Sequence, residues 1–165
     1  MKQLLILWHS RTGTAEAMAR AAFEGAQTQI EGEGAARLLS AEAAGPEDML
    51  GAAGYLFAAP ENLASLSGAM KEFFDRCYYP LLGRIEGRPY ALMIAAGSDG
   101  QGAARQAARI CTGWRLRDVQ PAMIVNTNAQ TPEQILAPKT LDAATLARCR
   151  DLGAGMMAGV ASGIW

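Results

Sequence analysis

The sequence lacks any apolar run long enough to cross a membrane, since no stretch of its 165 residues approaches the roughly 20 consecutive apolar residues of a spanning helix. It contains one histidine and no Cys-x-x-Cys pair, so the spacings typical of zinc and iron–sulfur sites are missing. It also has no Gly-Lys-Ser or Gly-Lys-Thr, which ends the phosphate-binding loop of P-loop nucleotide hydrolases. These absences predict no membrane span, no metal centre and no P-loop chemistry.

An excess of charge of either sign is missing too. The 15 Lys and Arg residues nearly balance the 16 Asp and Glu residues, for a net charge of −1. A nucleic-acid-binding domain normally carries a basic stripe, and a carrier that docks on basic partners is strongly acidic. The composition therefore disfavours nucleic acid as a partner.

Cysteine is scarce, with only Cys77, Cys111 and Cys149, all far apart and each in a helix-like pattern. Isolated cysteines of this kind usually act as small buried hydrophobic residues and stay reduced, so we expect a cytoplasmic protein. The first apolar run follows Lys2 almost at once, so we expect no signal peptide.

Apolar runs typical of buried parallel strands are present at residues 4–8, 55–59, 90–95 and 122–125, and a weaker run at residues 36–40 fits an edge strand. Helical patterns alternate with them, near residues 15–30, 46–51, 70–77, 104–114 and 141–159. This alternation predicts an α/β fold: a three-layer, doubly wound sandwich with a five-stranded parallel sheet, as a single domain over residues 1–165. Residues 126–140, which include Pro132 and Pro138, are expected to form an ordered surface loop.

The loop after the first strand, residues 10–15, is rich in hydroxyl groups and precedes a helix. Free N–H groups at a helix start, together with hydroxyl donors, make an anion site. A simple capped turn is the alternative. We expect the neighbouring His9 to position this loop rather than bind a ligand. The residues of the loop are Ser10, Arg11, Thr12, Gly13, Thr14 and Ala15.

Two further loops follow the third and fourth predicted strands. Ligands of open parallel sheets bind at the carboxyl ends of the strands, so the three loops are expected to converge on one crevice. Each loop also has an explanation that involves no ligand. The second could simply cap the next helix through Ser65 or Ser67, and the third could be a flexible glycine turn. The candidate binding residues in the second loop are Pro60, Glu61, Asn62 and Leu63, and those in the third are Gly97, Ser98, Asp99 and Gly102.

These segments resemble the flavodoxin-like superfamily, in its branch of NAD(P)H-dependent FMN reductases and quinone reductases. The sequence SRTGTA at residues 10–15 resembles the S-x-T-G-x-T phosphate loop of that branch. PEN at residues 60–62, followed by SGAMKEFFDR at residues 67–76, is similar to its proline loop and the helix after it. The resemblance covers roughly residues 1–125.

The resemblance implies FMN as cofactor, NAD(P)H as co-substrate and a quinone-like molecule or a redox protein as electron acceptor. It implies that Ser10, Thr12, Gly13 and Thr14 hold the FMN phosphate. The second loop and residues 97–99 would then border the isoalloxazine ring, while Lys71 and Asp75 would orient the helix. The flavin would carry the chemistry, so no catalytic side chain is expected.

Two residues depart from the pattern. Ala15 stands where the family usually has threonine, and the second loop offers no aromatic side chain unless Tyr78, Tyr79 or Trp114 reaches the ring from elsewhere. A flavodoxin-type electron carrier without nicotinamide activity therefore remains an alternative, as does a binding module that has lost the flavin.

Two other features have open interpretations. The arginines at positions 105, 109, 115 and 117 could attract a 2′-phosphate, although a solvated helix face is the commoner explanation of such a pattern. The apolar end of the chain, residues 156–165, could pack on the core or on a second copy, so a homo-oligomer is possible.

Overall fold

The computed structural model of the protein describes residues 2–30, 32 and 34–165. The strands are β1 Gln3–Trp8, β2 Ala35–Ser40, β3 Gly54–Asn62, β4 Ser65–Leu66, β5 Pro89–Ala96, β6 Arg117–Asp118 and β7 Met123–Asn126. The helices are α1 Thr14–Gln27, α2 Pro46–Gly51, α3 Gly68–Leu81, α4 Gln101–Gly113, α5 Pro132–Leu136 and α6 Ala143–Ser162.

The main sheet is parallel, with β2 at one edge followed by β1, β3 and β5. Both β6 and β7 pair with β5 on its other side, also in parallel. The fifth position is thus one edge strand in two pieces. The four residues 119–122 separate these pieces and lie opposite only two residues of β5. This bulge includes Pro121, which cannot donate a ladder hydrogen bond.

Helices cover both faces of the sheet, because alternate side chains of each central strand point to opposite sides. In β1, Leu5 and Leu7 join the core beneath α2, α3 and α4, whereas Leu4 and Ile6 join the core beneath α1 and α6. All four are fully buried. The predicted three-layer doubly wound sandwich is confirmed, and so is the edge position of β2.

Helices α1 and α6 pack backbone to backbone. A Cβ added at Gly25 would lie 2.0 Å from the carbonyl oxygen of Arg150, and one at Gly153 would lie 1.8 Å from that of Ala22. Only glycine permits this approach. The contact fixes the C-terminal half of α1 against α6.

Some local predictions are wrong. Residues 126–140 are not without secondary structure: they contain the end of β7 and helix α5. Ser67 occupies the position before α3 but makes no side-chain cap, and the Ser65 hydroxyl donates instead to Gln106 of α4. Periodicity did not detect β4, β6 or α5, each of which has five residues or fewer.

The cysteines lie in the buried environment predicted for them. Cys77, Cys111 and Cys149 are free and buried, and burial raises the pKa of the Cys77 thiol to about 11. Near the end of the chain, Trp165 packs on Gly159, while Ile164 is exposed. No helix of the described residues combines the length and apolarity needed to cross a membrane.

Candidate functional site

A cavity of about 490 Å³ opens at the carboxyl ends of β1, β3, β5 and β7. The three predicted loops converge on it. The predicted residues in its wall are Ser10, Arg11, Thr12, Thr14, Ala15, Pro60, Glu61, Asn62, Leu63, Gly97 and Ser98. Gly13, Asp99 and Gly102 belong to the same loops but do not line the cavity.

The first loop turns directly into α1. Gly13 adopts φ +98°, a left-handed conformation that favours glycine, and its N–H donates to the Ser10 hydroxyl oxygen at 3.0 Å. Gly13 caps the helix without a side chain, so no side-chain oxygen from this residue occupies the first-turn N–H groups. The positive end of α1 therefore faces the cavity wall that Thr14 and Ala15 help to form.

Thr14 has a hydroxyl without a partner. It is 4% exposed, and its Oγ1 is the one buried side-chain nitrogen or oxygen of the described residues that makes no hydrogen bond. Burying a hydroxyl without a hydrogen bond is unfavourable, and native structures rarely do so without reason. A bound anion at the start of α1 would supply the missing acceptor.

Glu61 lies in the cavity wall, but its carboxylate is already engaged. It accepts hydrogen bonds from the N–H groups of Gly100, at 2.9 Å, and Ala103, at 3.0 Å. These groups lie at the N-terminus of α4, where the helix dipole favours a negative charge. Glu61 thus joins the second loop to the third.

The second loop forms a tight hairpin between β3 and β4. Glu61 pairs with Leu66 and Asn62 with Ser65, which leaves Leu63 and Ala64 as a two-residue turn. Both turn residues have positive φ, +52° and +61°, as a type I′ turn requires. Leu63 is fully exposed, at 101%. A leucine is thus held at the cavity in a conformation that glycine or asparagine would adopt more easily.

The third loop uses its glycines to approach other segments of the protein. A Cβ on Gly102 would lie 2.1 Å from the Ala64 carbonyl oxygen, and one on Gly97 would lie 2.9 Å from that of Ala129. Gly102 therefore admits the β3–β4 hairpin against α4. Gln106 supports the same junction, because its side-chain oxygen accepts from the Leu66 N–H at 2.7 Å.

Sequence reasoning missed the fourth side of the cavity, which comes from the chain between β7 and α6. The residues it contributes to the wall are Thr127, Ala129, Ile135, Leu136 and Lys139. The Lys139 N–H donates to the Thr12 carbonyl oxygen at 2.9 Å, a contact between distant parts of the chain. The only signal in the sequence was the threonine–proline pair at 131–132, which is typical of a helix start.

No aromatic side chain lies in the cavity wall that the described residues form. Trp114 is fully buried, where its Nε1–H donates to the Tyr78 carbonyl oxygen and its ring stacks with that of Tyr78. Tyr79 is exposed and lies outside the wall. None of the three aromatic candidates reaches the cavity.

His9 stands beside the first loop but outside the cavity wall. Its Nδ1 lies 2.8 Å from the Ser67 hydroxyl oxygen, and its Nε2 lies 3.6 Å from a Glu42 carboxylate oxygen. Burial lowers the pKa of His9, which outweighs the opposing influence of Glu42. These contacts link the end of β1 to the start of α3, in agreement with a positional role.

The other charged candidates lie away from the cavity wall. Lys71 and Asp75 form an ion pair of 2.6 Å along α3. Arg115 pairs with Glu86 at 3.0 Å, and Arg117 belongs to β6. Arg105 and Arg109 lie on the exposed face of α4. Within the described residues, no group of three or more His, Cys, Asp or Glu side chains is arranged to hold a metal ion.

Comparison with known proteins identifies relatives by sequence. A family model described as NADPH-dependent FMN reductase matches residues 41–130. A flavodoxin from Aquifex aeolicus (strain VF5) is 34% identical over 102 residues, which cover 62% of this chain and 54% of that protein. The alignment therefore spans about half the length of this relative.

Solved structures with low sequence identity share the fold. A flavodoxin from the domain Archaea superposes with a TM-score of 0.76 at 15% identity and covers 96% of this chain and 99% of its own. A WrbA-like flavodoxin from Agrobacterium tumefaciens gives 0.75 at 17% identity, with 97% and 98% covered. Since the family model spans more than half of the chain, the protein belongs to the NADPH-dependent FMN reductase family and has a flavodoxin-like fold.

Proposed function

We propose that this protein binds FMN in the cavity and acts as an oxidoreductase that passes electrons from NAD(P)H, through the flavin, to a small acceptor such as a quinone. The observation that carries the proposal is the unpartnered, buried hydroxyl of Thr14 at the start of α1. Bound FMN supplies the redox chemistry, because its ring accepts two electrons and releases them singly or together.

The first loop fits a phosphate. The Thr14 hydroxyl is free to donate, and the Ser10 hydroxyl accepts from Gly13 and retains its own proton for a ligand. The N-terminus of α1, which has no side-chain cap, adds backbone N–H groups and a positive dipole. Arg11 and Lys139, both in the cavity wall, add positive charge. Ala15 removes one hydroxyl from the expected pattern and leaves those of Ser10, Thr12 and Thr14.

The second and third loops fit a flat heterocycle. Pro60, Asn62 and Leu63 line the cavity together with Gly97 and Ser98, so apolar contacts and backbone polar groups are both available. Glu61 directs its charge to α4 rather than towards the cavity. This arrangement fixes the spacing of the two loops before any ligand binds.

The absence of an aromatic side chain from the described wall supports an accessible ring. NAD(P)H and the acceptor must each come close to the flavin in turn, and an open cavity allows this. In this role the protein orients both substrates, and no side chain need transfer a proton.

A flavodoxin-type electron carrier is the second candidate, favoured by the name of the Aquifex aeolicus relative. A carrier would react slowly with NADPH and NADH and rapidly with a redox protein. The near-neutral net charge of −1 gives little electrostatic steering towards such a partner, which favours the reductase.

FMN binding is tested by titration of the apoprotein, with the fluorescence of the flavin as signal. We expect a saturable, stoichiometric complex that survives removal of free flavin. Thr14→Val should weaken this complex, whereas Thr112→Val, on the exposed side of α4, should leave it unchanged. A protein that retains no FMN would contradict the proposal.

A further inference from the structure

Helix α5 is not held in place by the burial of apolar side chains. None of its five residues is buried, and Ile135 and Leu136 are 49% and 69% exposed. Most helices of this length are held by an apolar face packed on a core. Since α5 presents its large apolar side chains to solvent, packing does not explain its position.

Polar anchors on both sides hold the α5 segment, which we define as residues 127–139. On one side, the N–H and the hydroxyl of Thr127 both donate to the Ala96 carbonyl oxygen, at 2.8 and 3.2 Å. On the other, the Lys139 N–H donates to the Thr12 carbonyl oxygen at 2.9 Å. Ala96 and Thr12 both line the cavity, so the segment spans from one part of its wall to another.

Side chains of the segment also form hydrogen bonds with the backbone groups at both ends of α5. The Thr131 hydroxyl accepts from the Gln134 N–H, and the Gln134 side-chain oxygen accepts from the Gln130 N–H at 2.9 Å. At the other end, the Lys139 ammonium donates to the carbonyl oxygens of Ile135 and Ala137, at 3.1 and 2.6 Å. The capping box and the Lys139 ammonium thus satisfy backbone groups at both ends of this helical turn. The exposed side chains of α5 are therefore presented in a preformed arrangement.

A third exposed apolar side chain lines the same cavity. Leu63 is fully exposed and lies in the left-handed turn described above, where its backbone conformation is strained. Two separate segments thus hold large apolar groups at one opening. Scattered single hydrophobes are normal on a surface, but a group of them around a cavity marks a contact site.

The charges of the cavity wall narrow the choice of ligand. The Glu61 carboxylate accepts two hydrogen bonds from the N-terminus of α4, where the helix dipole favours its charge, and the other charged side chains of the wall are the cations Arg11 and Lys139. A basic protein surface would be repelled here, whereas a neutral or anionic small molecule would not.

We propose that Ile135 and Leu136, together with Leu63, form an acceptor clamp that selects flat, apolar, neutral or anionic molecules at the mouth of the cavity. The clamp rests on the proposed function, since it acts on the acceptor of that reaction. Its residues determine specificity and are not catalytic. The clamp holds the acceptor by apolar contact and excludes water from it.

The test compares two double variants of the FMN-loaded protein: Ile135→Gln with Leu136→Gln in the clamp, and Tyr79→Gln with Leu82→Gln as the control. All four positions carry exposed apolar side chains, and the control pair lies at the far end of α3. Menadione serves as the flat apolar acceptor and ferricyanide as a hydrophilic one. Calorimetry measures the Kd of menadione for the oxidised protein, independently of turnover.

In the clamp variant, we expect the Kd and the KM of menadione to rise at least about tenfold. The lost apolar contact with menadione is roughly equivalent to the burial of one apolar side chain. The rise for menadione should exceed any change in ferricyanide turnover or in the Kd of FMN, and the control should match the unaltered protein. A second variant, Thr131→Ala with Gln134→Ala, keeps both apolar side chains but removes the capping box. It should also raise the KM of menadione.

Three results would overturn the clamp. An unchanged Kd and KM for menadione would do so while leaving the proposed function intact. Loss of FMN from the clamp variant would show that α5 holds the cofactor. Slower reduction of a protein acceptor such as cytochrome c, with menadione unaffected, would make this face a protein docking surface. Failure of the proposed function is recognised separately, because the unaltered protein would then retain no FMN.

Discussion

Glu61 and Gly100 are joined by a hydrogen bond of 2.9 Å, in which the carboxylate at the end of β3 accepts from a backbone N–H at the start of α4. A second bond from Ala103 completes the cap. The residues lie 39 positions apart in the sequence, so this cap is a tertiary contact. It makes one rigid unit of two loops that line the cavity.

Removing this cap should therefore affect both stability and binding. Glu61→Ala is expected to lower the free energy of unfolding by about 1 kcal/mol, the usual cost of a lost N-cap. It should also weaken FMN binding, because the second and third loops lose their common anchor. Urea unfolding of the apoprotein and flavin titration measure the two effects.

Glu61→Gln is the matched control, since its amide oxygen can still accept one of the two hydrogen bonds. Glu61→Gln should lose less than half as much unfolding free energy and FMN-binding free energy as Glu61→Ala loses. If both variants retain full stability and full FMN affinity, the cap does not position the loops.

Thr14→Val should change stability and binding in opposite directions. The substitution removes a buried hydroxyl that makes no hydrogen bond, so the apoprotein should gain about 1 kcal/mol. FMN affinity should fall about tenfold, the effect of one lost hydrogen bond to a charged phosphate. Urea unfolding with and without FMN tests both signs. A variant that binds FMN normally would exclude Thr14 from the phosphate site.

Ala64→Gly should stabilise the protein by about 1 kcal/mol, because Ala64 has φ +61° and a left-handed alanine is strained. The side chain is exposed, so no packing is lost. Ala154→Gly, within α6, is the control and should destabilise by about the same amount. Thermal and urea unfolding compare the two. A destabilised Ala64→Gly would mean that the methyl group makes a contact which outweighs the strain.

His9 should give stability a pH dependence. Burial holds its pKa below the ordinary value of 6.5, so the unfolded chain takes up a proton before the folded protein does. The contribution of neutral His9 is complete above pH 6.5 and is lost as the pH falls towards the lowered pKa. His9→Gln should flatten this dependence. Urea midpoints at about pH 5, 6.5 and 8 measure it, and parallel curves for the two proteins would contradict it.

The sequence contained enough information to predict the layers of the fold. Central strands such as β1 are apolar on both faces, and the helix between residues 14 and 27 has a regular apolar stripe. Both patterns are local and repeat over several residues. The resemblance of residues 10–15 and 60–76 then located the loops that converge on the cavity.

The missed parts depend on contacts between distant residues. The α5 segment has no apolar periodicity and is held by bonds to Thr12 and Ala96, which no local pattern reveals. The Leu63–Ala64 turn carries none of the Asn-Gly signals typical of a type I′ hairpin. Gly102 makes room for the Ala64 carbonyl, a contact that no local pattern reveals. The roles of the site residues remain predictions.

The central claim is that the flavin in this cavity takes electrons from a nicotinamide. The most direct test is an anaerobic titration of the FMN-loaded protein with NADPH, and then NADH, after free flavin has been removed. We predict stoichiometric bleaching of the flavin's visible band within seconds with at least one of them. A retained band that neither nicotinamide bleaches would contradict the reductase and favour the electron carrier.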